Sequence, residues 1–531
     1  MPLPDRREPQ TLEITMLPGE GWWGLASAFG RDMPFTARSD LAFDLRRSNY
    51  GHQTLSLLCS DRGRAAWCPG PVAARIADGS IRLESDGDPI LFAEHAGRSL
   101  REAFRFAASA WFPPSGAEPD LRFVTAPQYN TWIELTYHQN ERDILAYARS
   151  MLDHGLPPGV FMIDDTWQLG YGTWEFDPRR FRDPAGMVRE LHAMGFEVLL
   201  WIAPFVSMDS PAYRELVGVG RRGPGGFLCE RRAPDGAVRD AWCNDPAPVP
   251  WWNGKSALLD FTNPNARRWF AGELERLRRD FGVDGFKFDA GSAEAYAADR
   301  LAFDPSVSPA AQSALYGAFA LECGHGELRN GFGFAGKPVV MRLHDKNHSW
   351  DDLRRLVPDM LAAGLVGCPF ICPDMVGGGN WTAFLPGSAF DPELFLRSAQ
   401  VHALCPMMQI SASPWRVLSP EHQALFAETV ALRQRFAPRF AALAKESART
   451  GEPMMRPLEY VFPGHGLAGV RDEFLMGDDL LVAPVLEKSG ARRVVLPPGR
   501  WRDDLGAIHD GPATLDLGAV PLARLPHYQR A

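Results

Sequence analysis

No uninterrupted apolar run in this chain reaches membrane-spanning length, so no spanning helix is expected. There is no basic run either, and the net charge of −9 argues against a surface that binds phosphate or nucleic acid. The eight cysteines are scattered. Cys368 and Cys372 form the one close pair, in an apolar, strand-like run with no second cluster to complete a zinc site. They read as free cytosolic thiols. Residues Met1 to Gln10 are polar and Pro-rich, without an apolar core of signal-peptide length, so a cytoplasmic location is expected. Internal repeats and low-complexity segments are absent as well.

What is present points elsewhere. A chain of 531 residues is too long for one hydrophobic core, which predicts two to four domains. Hydrophobic residues at 45% and charged residues at 23% describe an ordinary globular protein. Sixteen Trp residues are more informative, because sugar rings offer apolar C–H faces that stack on aromatic planes.

Residues 1 to 125 alternate short apolar runs with Gly, Pro and Asp, as in Ser80 to Ser85, which predicts an antiparallel β-sandwich. From 126 the rhythm becomes strand, helix, strand. Tyr129 to Leu135 reads as a strand, Glu141 to His154 as a helix and Val160 to Ile163 as a strand. Asp183 to Met194 reads as a helix, Glu197 to Ile202 as a strand, Asn265 to Asp280 as a helix and Gly285 to Phe288 as a strand. Alternation of this kind predicts a parallel sheet, and enough units predict a closed (β/α)8 barrel over 126–436. A Gly/Pro-rich insertion over 204–256, including Gly220 to Gly226, interrupts it and is expected to shape a site. Further strands are read at Pro338 to Arg342, Gly367 to Ile371 and Pro406 to Ile410, and helix Pro420 to Phe436 closes the barrel. Residues 437–531 return to β-type sequence, expected as a C-terminal β-sandwich.

Acids recur where these strands end: Asp164 and Asp165, then Asp289, Asp345 and Asp374. The carboxyl ends of barrel strands face the active site. One such Asp could merely cap a helix, but a recurring set points to chemistry. Two carboxylates flanking a glycosidic bond can serve as nucleophile and general acid/base, and Asp289 with Asp345 is the natural pair. His344 and His348 raise a metal alternative, yet histidines four apart ligate together only on a helix, and no metal or other cofactor is expected. Trp201, Trp252 and Lys287 are candidates for lining a pocket or pairing its carboxylates.

The order of motifs resembles glycoside hydrolase family 31. Asp260-Phe261-Thr262-Asn263-Pro264-Asn265-Ala266 is similar to the family's D-F-T-N-P-x-A segment, and Phe286-Lys287-Phe288-Asp289-Ala290-Gly291 to its nucleophile strand. Asp345-Lys346-Asn347-His348-Ser349-Trp350 resembles its acid/base segment, and Arg329, sixteen residues earlier, an Arg that contacts the sugar. Pro369 to Gly378, around Asp374, resembles a further signature, and Met455-Arg456-Pro457, Asp472 to Asp478 and Leu481 to Val485 resemble the proximal β-sandwich. There are departures: Ser292 stands where the family often has Glu, and His344-Asp345-Lys346 replaces the common Gly-Asp-Asn. These are closer to the myogenesis-regulating glycosidase branch, which by resemblance is linked to α-galactosides. Ile163 to Gln168 also looks like the D-D-G-W segment of related α-galactosidase families, where paired acids bind the 4- and 6-hydroxyls. The resemblance thus implies a retaining exo-α-glycosidase acting on a small carbohydrate substrate, leaning to α-galactosides over α-glucosides. Asp164, Asp165, Trp201, Trp252, Lys287, Arg329 and Asp374 would contact or surround the sugar. A catalytically silent carbohydrate-binding scaffold is the alternative of another class. A homo-oligomer is left open.

Overall fold

The computed structural model describes residues 8–220, 226–231, 246–297 and 300–531. Eight short strands carry the central architecture. They are β1 (Gln128–Asn130), β2 (Val160–Ile163), β3 (Glu197–Ile202), β4 (Gly285–Phe288), β5 (Gly326–Leu328), β6 (Val340–Arg342), β7 (Ile371–Cys372) and β8 (Gln409–Ile410). They form one sheet in the order β7-β6-β5-β4-β3-β2-β1-β8. A parallel bridge between Met375, just past β7, and Gln409 of β8 brings the two ends of that order together, with Val376 N–H donating to the Gln409 carbonyl at 2.8 Å. The result is a (β/α)8 barrel.

Helices follow most strands, and their starts are written in the sequence. Asn140, Asp183, Asn263, Ser349 and Asp391 each cap a helix through a side-chain oxygen. Gly282, in the left-handed region at φ 77°, ends helix Pro264–Phe281 and lets the chain turn into β4. Gly285 is required for packing: a Cβ there would lie 2.0 Å from the His325 carbonyl oxygen.

Several sequence expectations need correction. Tyr129 to Leu135 is not one strand: β1 ends at Asn130, and Trp132–Leu135 is a helical turn. The Asn130 side chain accepts from Trp132 N–H at 2.8 Å, a local bond that competes with continued pairing. Gly367 sits in a turn at φ 80°, and only Ile371–Cys372 pairs. The helix expected to stop at Phe436 runs from Pro420 to Thr450, so position 436/437 falls inside it. The insertion holds a three-stranded antiparallel sheet, Phe205–Ser207 with Gly254–Leu258 and Val249–Trp251. Arg221 to Gly225, from the Gly/Pro-rich run of that insertion, lie outside the described residues.

By contact density the chain divides into two compact units. One comprises 1–45, 50–128 and 333–531, and the other 46–49 and 129–332. In the first, the N-terminal segment contributes two antiparallel sheets, one ordered Gln10–Thr15, Ser80–Ser85, Val72–Ala77, Leu41–Asp44. Its C-terminal segment is a six-stranded sheet whose long hairpin pairs Ala491–Asp503 with Ile508–Ala519. Trp501, Leu475, Leu481, Val494, Leu496 and Tyr528 form its core. The seven described cysteines form no disulfide. No helix among the described residues is long and apolar enough to cross a membrane.

Candidate active site

Positive φ at non-glycine residues marks where the backbone is held against its preference. Three of the eight such residues described adjoin the strand-end acids: Thr166 (φ 70°), Ala290 (φ 56°) and Asp374 itself (φ 99°).

In the unit holding 129–332, β2, β3, β4 and β5 deliver one connected group. Asp289 follows β4, and donors from three different residues converge on its carboxylate. These are Trp201 Nε1 at 2.9 Å, Arg329 Nη1 at 3.3 Å and Ala290 N–H at 2.8 Å. Its backbone carbonyl accepts from the Tyr316 hydroxyl at 3.1 Å. Gly291 follows at φ 67°, where a Cβ would strike the Tyr316 ring at 2.3 Å. Trp201 is therefore a buried donor to Asp289, 1% exposed, rather than an open wall.

The adjacent acids after β2 divide their roles. Asp164 pairs with Lys287 of β4 at 2.5 Å, with both side chains buried, and accepts from Asp165 N–H at 2.8 Å. Alternation along β4 is what turns Lys287 inward, opposite to Phe286 and Phe288. Asp165 faces neutral donors: Asn253 Nδ2 at 2.9 Å and Trp252 Nε1 at 3.4 Å. Burial pushes its carboxyl up to about 6. Trp252 and Asn253 form the turn between Val249–Trp251 and Gly254–Leu258, closed by Gly254 at φ 99°. The insertion thus brings an indole that is still 54% exposed to the side of Asp165.

In the other unit, Asp345 lies three residues beyond β6 with its side chain 38% exposed, against a cavity of about 670 Å³. Arg342 Nη1 donates to Asp345 at 2.6 Å and to Asp374 at 2.7 Å. Asp374 was expected to touch sugar. It is 1% exposed, and its second oxygen accepts from Lys346 N–H at 2.7 Å, so it braces the acid/base segment from inside. Burial, then the Asp345 charge, push Asp374 up to about 6. His348 Nδ1 lies 2.9 Å from the Gly377 carbonyl and its Nε2 accepts from Asp391 N–H at 3.0 Å. With both ring nitrogens on backbone, it is turned away from a metal role; His344 Nδ1 lies 2.8 Å from the Asp345 carbonyl.

Sequence reasoning passed over Arg342, Asn253 and Gly379. A basic residue ending an otherwise apolar strand was a readable signal for Arg342; nothing local marks the other two.

A model described as the glycosyl hydrolases family 31 TIM-barrel domain matches residues 127–443, and one for the family's C-terminal domain matches 451–531. Myogenesis-regulating glycosidase of Mus musculus is 34% identical over 425 residues, covering 78% of this chain and 57% of that protein. Alpha-glucosidase 2 of Bacillus thermoamyloliquefaciens is 25% identical, covering 70% and 48%. This chain thus spans about half the length of these curated relatives. Among solved structures, a family 31 alpha-xylosidase from a soil metagenome, complexed with xylose, aligns at TM-score 0.82 and 21% identity. That alignment covers 100% of this chain and 80% of the other.

Proposed function

The chain belongs to glycosyl hydrolase family 31, and from that premise we propose that it is a retaining exo-α-glycosidase. The observation that carries the reading is Asp289: a strand-end carboxylate met by an indole N–H, a guanidinium and a backbone amide. All three are donors, as an anionic nucleophile requires. Asp289 attacks the anomeric carbon while Asp345, protonated, gives its proton to the departing oxygen. Asp345 then takes a proton from water, which cleaves the covalent glycosyl-enzyme at the same carbon. No metal or organic cofactor enters these steps.

For the sugar we favour an α-galactoside. Asp164 is committed to Lys287 and to a backbone amide, which leaves recognition to Asp165, flanked by the open Trp252 ring and Asn253. A buried acceptor whose side-chain donors are neutral discriminates by hydroxyl geometry, because an analogue that misplaces the hydroxyl leaves it unpaired. An α-glucosidase of the same mechanism is the second reading, favoured by relatives named as alpha-glucosidases. Assay of the purified protein on 4-nitrophenyl α-galactoside, α-glucoside and α-xyloside tests both. Faster cleavage of the glucoside overturns the galactoside assignment, and cleavage of none overturns the glycosidase.

A further inference from the structure

We propose that Arg342 is a positioning residue for Asp345: one guanidinium nitrogen holds the ionised Asp345 in competition with Asp374 and releases it on protonation. The proposal rests on reading Asp345 as the acid/base. Arg342 ends β6 with its side chain 1% exposed. Its Nη1 lies 2.6 Å from Asp345 Oδ1, 2.7 Å from Asp374 Oδ1 and 3.3 Å from the Leu343 carbonyl. A guanidinium nitrogen at this position carries two hydrogens, so three acceptors compete for them.

The competitors are not equally free. Asp374 is buried, held at φ 99° and tied by its second oxygen to Lys346 N–H. Asp345 is the exposed one, with the cavity of about 670 Å³ before it. Gly379 closes its other side, where a Cβ would lie 2.8 Å from Asp345 Cγ. An ionised Asp345 makes a charge-assisted bond to Arg342, and a protonated one loses most of that attraction. Proton uptake therefore frees the form that must reach the glycosidic oxygen, and Arg342 stays with Asp374.

The other charges around this cavity are largely paired among themselves. Lys346 lies 2.5 Å from Asp359, Arg355 3.0 Å and Arg31 3.3 Å from Asp351. His344 stacks on His52 at 5.9 Å, and Asp32 and Asp352 line the same cavity. Arg342 meets the Asp345 carboxylate directly.

The two partners should thus move the Asp345 proton in opposite directions. Full-length protein labelled with carboxyl-¹³C aspartate would be titrated by NMR, with Asp345→Asn identifying the resonance. Arg342→Gln should raise the Asp345 midpoint by about 1 to 3 pH units, the span of a nearby opposite charge. Asp374→Asn should lower it, and Arg342→Lys, which keeps the charge, should return it towards wild type. Should Arg342→Gln not fold, Asp374→Asn and Arg342→Lys still decide the matter. Midpoints that stay put, or move the same way in Arg342→Gln and Asp374→Asn, overturn the proposal. The titration needs no turnover, so a wild type that cleaves no α-glycoside would remove the glycosidase reading and leave this one judged separately. In an active enzyme the alkaline limb of kcat/KM should shift with the NMR midpoint.

Discussion

A lysine ammonium inside a barrel is tolerable only against a carboxylate. Lys287 and Asp164 are 4% and 5% exposed at their side chains, so removing either leaves the other charged and unpaired. Asp164→Ala is expected to cost about 3–5 kcal/mol of stability. The double change Asp164→Leu with Lys287→Met should restore much of it, and thermal unfolding of the three proteins checks this. Asp289→Asn keeps the shape of the side chain but not its charge. Turnover should fall by more than about a thousandfold with an unchanged unfolding temperature. Gly379→Ala would push a methyl into Asp345 and should slow aryl glycosides, which need the acid, more than an α-glycosyl fluoride, whose leaving group needs less help. Equal losses on both would remove Gly379 from that role. At this scale the acids themselves were legible, because each follows an apolar strand. Their partners were less so: Asn253 reaches Asp165 from 88 residues away, a distance no local pattern spans.

At the scale of elements, apolar runs announced β2, β3 and β4 with their observed bounds, β4 in spite of Lys287 between its two Phe. A strand with a charge at its centre and few apolar neighbours did not announce itself. Gly326–Leu328 has Glu327 at its centre, 1% exposed, and escapes a search for hydrophobic runs. Of the C-terminal hairpin, Arg493 to Gly499 reads as a strand in the sequence and lies within Ala491–Asp503. Glu473 lies 3.4 Å from Arg492 of that hairpin and accepts from Val495 N–H at 2.9 Å. Burial pushes Glu473 up to about 8 from 4.5, with Arg492 opposing. Between those values the unfolded chain has lost the proton that the folded one keeps, so stability falls as pH rises. Below about 6.5, Asp165, Asp359 and Asp374 act in the same sense, while His402, pushed down to about 3, acts against them. From about 6.5 to 8 the Glu473 contribution remains. Unfolding temperatures should decline over that interval in the wild type and flatten in Glu473→Gln. A decline of equal slope in both would assign it elsewhere.

For the whole molecule, order was more informative than any single motif. Segments spread from Asp260 to Val485 matched one family in sequence, and the family models cover 127–443 and 451–531. What order could not convey is the sugar, which depends on where a few side chains point around Asp165. Chelation is expected to leave activity unchanged, since the proposed chemistry runs on two carboxylates. Loss with EDTA, reversed by zinc, would contradict it. The central claim is that Asp289 forms a bond to the sugar, and trapping tests it most directly. A 5-fluoro-α-galactosyl or 5-fluoro-α-glucosyl fluoride slows the second step, so the glycosyl-enzyme accumulates and can be digested and sequenced by mass spectrometry. The label is predicted on the peptide carrying Phe286 to Gly291, at Asp289, and absent in Asp289→Asn. A label on Asp164, Asp165 or Asp345, or turnover of the fluoride with no labelled peptide, would contradict the account.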